Sequence, residues 1–203
     1  MIYAAPKKDA NDFSWTPEKE LEIGDVFYWG DGSINSFTQE GEQGFFAMYG
    51  TAVAQGENYP VNTLKKCEFD DFTNYWKIPE NDDYSPRFRI GSSLTDTHPA
   101  IMPTNGRAAA IKWVAPKDGT YTVKYVNFGN WNNKNRLSGS DDGVTVGVYR
   151  DDGENIYSKT YKKDETIVYN DVVWNDPSWF VTTLKLKKGE SLYFVADPNN
   201  QRI

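Results

Sequence analysis

Two short stretches of this chain place tryptophan among amides and charges. Residues 128–136 read F-G-N-W-N-N-K-N-R, which sets Trp131 among Asn130, Asn132, Asn133, Lys134, Asn135 and Arg136. Residues 170–180 read N-D-V-V-W-N-D-P-S-W-F, which sets Trp174 and Trp179 around Asn175, Asp176 and Pro177. An indole offers a flat apolar surface, and the amides, carboxylate, ammonium and guanidinium beside it offer donors and acceptors. That combination suits a ligand with an apolar C–H face and a rim of hydroxyls, which is what a sugar ring presents. A tryptophan in a polar loop also leaves apolar area in water, and such area usually has a purpose. The competing reading is that each ring folds back to cap an open end of the core.

Other chemistries have less to build on. Paired carboxylates flanking a glycosidic bond would be the minimum for hydrolysis, one as acid and one as nucleophile or base. With 29 Asp and Glu residues some pair must fall at a workable distance by chance. Most of the candidates, Asp118, Asp141, Asp142, Asp151 and Asp152, sit in turn sequences, where a short acidic side chain bonds its own backbone. No Glu lies at an apolar strand end where burial would raise its pKa, so catalysis by hydrolysis is not expected. His98 is the single histidine and Cys67 the single cysteine, and nothing in the sequence brings them together as a nucleophile and base. The sets Asp141-Asp142-Gly143 and Asp151-Asp152-Gly153-Glu154 could give oxygens to a structural calcium, or simply turn hairpins. No other cofactor is expected, and the glycines lack the spacing of a phosphate loop.

The elements that must position these loops read as strands. From Ala108 to Tyr125 the chain runs A-A-A-I-K-W-V-A-P-K-D-G-T-Y-T-V-K-Y. Ala109, Ile111 and Trp113 alternate with Lys112 and Val114, and Tyr121, Val123 and Tyr125 alternate with Thr122 and Lys124, so each segment has one face suited to a core. Pro116-Lys117-Asp118-Gly119 reverses the chain, and the pattern predicts a hairpin with Trp113 inside. Further strands are expected at Phe45–Tyr49, across Cys67–Ile78, from Phe88 to Ile90, over Val144, Val146 and Val148, from Ile156, from Phe180 to Leu186, and over Leu192, Phe194 and Ala196. Asp151–Glu154 and Lys187-Lys188-Gly189-Glu190 are the turns. Val26–Trp29 reads as a short aromatic strand with Tyr28 and Trp29 on opposite faces, and Trp76 as strand packing. Residues 1–20 read as a loosely attached entry segment with one helical turn capped by Thr16. The whole is an all-β, antiparallel β-sandwich of jelly-roll type, with one domain over 21–203.

Composition agrees with this class. The chain has 203 residues, 38% hydrophobic and 25% charged, which is enough for one large domain. Seven Trp and thirteen Tyr raise the aromatic share to 15%, which both a sandwich core and a sugar-binding face would use. The net charge of -7 and the lack of any long basic run count against nucleic acid and anionic membranes as partners. It also favours a neutral glycan over a uronic-acid or sulfated one, since like charges repel. Apolar stretches are too short to span a bilayer, and the N-terminus has no signal-peptide core.

The segments W-V-A-P-K-D-G-T-Y-T-V, D-D-G-V-T-V-G-V-Y and L-K-L-K-K-G-E-S-L-Y-F-V-A-D, in that order, are similar to bacterial jelly-roll domains of the carbohydrate-binding-module kind. G-F-F-A-M-Y-G, Trp76 and T-H-P-A extend the resemblance over most of residues 35–203. It implies an exported, non-catalytic module, extracellular or at the cell surface, that acts as a monomer within a larger multidomain chain. The partner it implies is a poly- or oligosaccharide, with starch or a malto-oligosaccharide the leading choice. A structural or protein-interaction module is the alternative. The enzymatic one is a lyase-type site that combines Tyr with His98, Lys or Arg, as occurs on some jelly rolls.

Overall fold

The computed structural model describes residues 12–17, 19–27, 41–54, 56–70, 75–78, 87–90, 99–102, 106–126, 144–161 and 179–199. Twelve strands carry the fold among them: β1 (Phe45–Thr51), β2 (Lys65–Lys66), β3 (Glu68–Asp70), β4 (Tyr75–Lys77), β5 (Arg87–Ile90), β6 (Pro99–Met102), β7 (Arg107–Val114), β8 (Gly119–Val126), β9 (Val144–Arg150), β10 (Asn155–Tyr161), β11 (Trp179–Leu186) and β12 (Ser191–Asp197). They form a six-stranded sheet in the order β10-β9-β12-β7-β1-β2, a two-stranded sheet of β11 and β8, and a four-stranded sheet β3-β4-β5-β6. Every pairing is antiparallel, as expected for an all-β sandwich. The described strands establish the sandwich but not jelly-roll connectivity.

β7 is the central strand, bonded to β1 on one side and β12 on the other. Residues Ala108 to Val114 are all buried, on both faces. On one face Ala109, Ile111 and Trp113 join Phe45, Ala47, Leu192, Val123 and Leu186, which is the layer between the six-stranded sheet and the β8–β11 pair. On the other face Ala108, Ala110 and Val114 join Phe46, Met48, Tyr59, Val61, Tyr193 and Val195. The sequence pattern predicts one core face for this strand, and the structure gives it two.

The turn at 115–118 is present, but the hairpin predicted from Ala108 to Tyr125 is not a ladder. β7 and β8 lie in different sheets, because β7 is already paired on both edges and β8 pairs with β11 along its full length. The 187–190 turn is a second arch of the same kind, joining β11 to β12 across the sandwich. The two arches are bonded together. The Lys188 N–H donates to Asp118 Oδ1 at 2.8 Å, the Gly189 N–H to the Ala115 carbonyl at 2.8 Å, and the Ala115 N–H to the Glu190 carbonyl at 2.8 Å. Of these three turns, Asp151–Glu154 is the one that closes a hairpin, between β9 and β10.

The N-terminal segment is the second correction. Phe13 and Trp15 pack on the outer core layer, and no helical turn forms at Thr16, Pro17 or residues 19–21. The Trp15 indole N–H donates to the Val114 carbonyl at 2.9 Å, and the Lys66 ammonium bonds the Asp12 carbonyl. Gly44 leaves the room, since a Cβ there would stand 2.5 Å from the indole. The Phe13 ring also covers the buried Lys112 ammonium, 3.7 Å from the ring centroid, so this buried cation is met by an aromatic π-face. Burial lowers the Lys112 pKa. Because the segment seals one side of the central strand, Trp15→Ala should destabilise the protein by about 3 kcal/mol, and Trp15→Phe by about 1 kcal/mol through the lost hydrogen bond. Urea unfolding midpoints check both. A loosely attached segment would leave the midpoints unchanged.

Candidate functional site

The register of the strands sets where the two tryptophan-bearing stretches are rooted. β8 ends at Val126, just before residues 127–143, and β11 begins at Trp179, just after residues 162–178, and Val126 and Trp179 are direct partners. On the facing sheet Val144 begins β9 and Tyr161 ends β10, and these two are also direct partners. Partners in an antiparallel ladder have Cα atoms roughly 5 Å apart. Both stretches therefore leave the two-stranded sheet side by side and reach the six-stranded sheet side by side. The three bonded turns described above lie at the opposite end.

Of the residues that the sequence singles out, Trp131, Trp174, Asn130, Asn132, Asn133, Lys134, Arg136, Asn175 and Asp176 lie outside the described residues. So do Tyr28, Trp29, His98 and Asp141–Gly143. Trp179 is the first residue of β11 and not a loop residue, because its backbone is already in register with β8. Trp113 is core, 5% exposed, with its indole N–H donated to the Gln43 carbonyl at 3.2 Å. Trp76 stands in β4 between Phe69 and Phe88 of the neighbouring strands. Cys67 is buried, which pushes its thiol pKa well above the ordinary value.

The acidic turns are occupied by backbone donors. Asp152 Oδ1 accepts the Glu154 N–H at 2.9 Å, Asp151 Oδ2 the Ser191 N–H at 2.7 Å, and Glu190 Oε2 the Lys187 N–H at 2.9 Å. They brace turns, which is the plain alternative to calcium at Asp151–Glu154. Among the described residues no three His, Cys, Asp or Glu converge.

One carboxyl differs. Asp197 ends β12, is 3% exposed, and is paired in register with Thr145, the neighbour of the Val144 root. Its Oδ2 accepts the Val53 N–H at 3.0 Å and its Oδ1 the Asn199 N–H at 2.9 Å. Asn199, buried and with φ at 57°, receives the Thr145 hydroxyl on its Oδ1 at 2.6 Å. Thr145 spends its single hydrogen there, so at 2.8 Å it accepts from Thr160, the neighbour of the Tyr161 root. A hydrogen-bonded chain thus runs from Asp197 to the roots of both stretches. Tyr59 lies alongside, its hydroxyl donated to the Thr51 carbonyl at 2.9 Å, and it crosses Gly50, where a Cβ would stand 2.4 Å from that hydroxyl.

Sequence reasoning missed this cluster. It looked for Glu at an apolar strand end, whereas the buried carboxyl is the Asp that closes L-Y-F-V-A-D. The sequence signal was the D-P-N that follows the strand, an Asx-type corner with a residue tolerant of positive φ. No family model, no curated protein and no solved structure matches this chain. The resemblance read from its turns and strands rests on those residues alone.

Burial raises the Asp197 pKa from 3.8 to about 6, against the pull of its two backbone donors. The folded state therefore holds the proton more tightly than the unfolded chain. The stability from this group is full below about pH 4 and is lost as the pH rises to about 6, a change of about 3 kcal/mol. In urea unfolding from pH 4 to 7, the advantage of wild type over Asp197→Asn should shrink by about that amount as the pH rises. A constant difference would mean that Asp197 titrates as it does in the unfolded chain.

Proposed function

We propose that this protein binds carbohydrate without catalysis, through the end of the sandwich where both tryptophan-bearing stretches are rooted. The observation that carries this reading is the double register, Val126 with Trp179 and Val144 with Tyr161. Residues 43 and 48 positions apart in sequence, Trp131 on one stretch and Trp174 and Trp179 on the other, belong to segments anchored side by side. Indole faces would stack on sugar rings. Asn130, Asn132, Asn133, Lys134, Arg136, Asn175 and Asp176 would pair with the hydroxyls. The net charge of -7 favours a neutral polysaccharide, with an α-glucan such as starch or a malto-oligosaccharide as the first candidate. The reading carries with it an extracellular or surface setting and a place in a larger multidomain chain, in which this module is a monomer.

A second reading has its own observation. Ile23 is fully exposed and Val26 is 60% exposed, on a segment tethered where the Lys117 ammonium bonds the Leu21 carbonyl at 2.6 Å. Exposed aliphatic residues on a fixed loop favour a protein-interaction module, with a neighbouring domain as the partner.

Native affinity electrophoresis against starch fractions, pullulan, mixed-linkage glucan, xylan, mannan and mucin separates the two. Retardation by a neutral glucan is expected, and Trp131→Ala, Trp174→Ala and Trp179→Ala should each weaken it at least tenfold, on the scale of about 1.5 kcal/mol for a lost stacking contact. Full affinity in all three variants would remove the site, and no retardation by any glycan or by short oligosaccharides would favour the interaction module.

A further inference from the structure

We propose that the outward face of the β8–β11 pair is a binding strip for a polysaccharide chain, running from the root pair Val126 and Trp179 along the strands to Lys185. The inference rests on the carbohydrate reading and extends it from the end of the sandwich onto one of its faces.

Alternation and register define the strip. On these two strands Tyr121, Val123, Leu184 and Leu186 pack into the layer against the six-stranded sheet. The positions between them lie on the opposite face, where the ladder pairs Thr120 with Lys185, Thr122 with Thr183, Lys124 with Val181 and Val126 with Trp179. Thr120, Thr122, Thr183 and Lys185 are exposed, and Val181 is 54% exposed. The outward face of the six-stranded sheet is instead packed beneath Phe13, Trp15, Tyr59 and Val61. From Trp179 to Lys185 the strip is about 20 Å long, at about 3.4 Å per residue, which spans several rings of an extended chain. Val181 offers apolar surface to C–H faces, and Trp179 holds the next position of the same face. The Thr122 and Thr183 hydroxyls stand on direct cross-strand partners, and each both donates and accepts, as sugar hydroxyls do. None of the eight positions is acidic, so no carboxylate competes for those hydroxyls. Threonine and lysine alone would make an ordinary solvated strand face. A ligand is indicated by the aliphatic side chain in water and by the continuity of the strip with the roots of both tryptophan-bearing stretches.

Native gels of the full chain containing starch, mixed-linkage glucan, xylan or mannan test the strip. The double variant Thr122→Val/Thr183→Val removes both hydroxyls and keeps the β-branched shape, and Val181→Thr makes the reverse exchange at an exposed position. Both should unfold in urea close to the wild-type midpoint, since exposed substitutions of this kind disturb little. In whichever gel retards the wild type, the double variant should bind about tenfold more weakly, the scale of two lost hydrogen bonds. Val181→Thr should bind about threefold more weakly, through the lost apolar contact. Ser158→Ala, exposed on β10, is the control and should bind as wild type does. Wild-type affinity in both strip variants, with the wild type retarded, overturns the strip and leaves the tryptophan-bearing loops as the site. No retardation of the wild type in any of the four gels removes the carbohydrate reading, and the strip with it. Sedimentation of the same proteins without glycan covers the remaining occupant. A wild-type dimer that becomes monomeric in both strip variants would assign this face to contact between copies and overturn the proposal.

Discussion

The fold depends on a strand that is buried on both faces and bonded along both edges. β7 has no exposed side, so its neighbours are obliged to supply two covers. One is the β8–β11 pair, which packs Val123, Leu184 and Leu186 towards Ile111 and Trp113. The other is irregular chain, the segments around Phe13–Trp15 and Tyr59–Leu64. A three-alanine run suits this position, because small side chains let covers on both sides come close. The cost is one cation, Lys112, taken out of water, and its environment is an aromatic ring and not an ion pair. Without Phe13 the ammonium would lose the nearer of its two aromatic faces and keep only the Tyr193 ring.

The arrangement gives the molecule two unlike ends along the strand axis. At one end two inter-sheet arches are bonded to each other and a hairpin stands beside them, with Asp118, Asp151, Asp152 and Glu190 each engaged by a backbone donor. Short turns braced by these bonds make a firm base. At the other end the connections between the sheets span seventeen residues each, 127–143 and 162–178, and are rooted in pairs. Recognition commonly lies in long connections held by such a scaffold. The buried carboxyl sits at this second end, tied into the roots and not into the base. An ionisable group of that kind costs stability near neutral pH, a cost that a purely structural position could avoid with a neutral side chain.

Much of this was legible in the residues themselves. Period-two alternation placed β9, β11 and β12 close to their observed bounds, an apolar run between glycines placed β1, and turn chemistry located the reversals at 116–119, 151–154 and 187–190. Turn residues report that the chain turns back, and nothing more. Whether the two arms then pair with each other or with third strands is decided by the competition for the edges of β7, which β1 and β12 win. That is why the Ala108–Tyr125 hairpin became an arch. The N-terminal segment was misread for a related reason. Polar residues flanking Phe13 and Trp15 hide an apolar pair that has no periodic neighbours, and only a preformed groove in a sheet gives it a place.

For the candidate site, residue type carried the chemistry and register carried the convergence. Sequence alone determined that the chain is an antiparallel all-β protein, that its tryptophans include some set among amides, and that its acidic groups favour turns, because these follow from local periodicity and side-chain chemistry. Only the tertiary structure decided that Val126 meets Trp179 and Val144 meets Tyr161, that the face of β7 bearing Lys112 is covered, and that Asp197 is buried beside Tyr59 with Thr145 and Thr160 linked to it. Each of these depends on contacts between residues far apart in the chain. Such contacts are fixed by which surfaces can be packed together without leaving a donor, an acceptor or an apolar face unmet, and no local window of sequence contains that information.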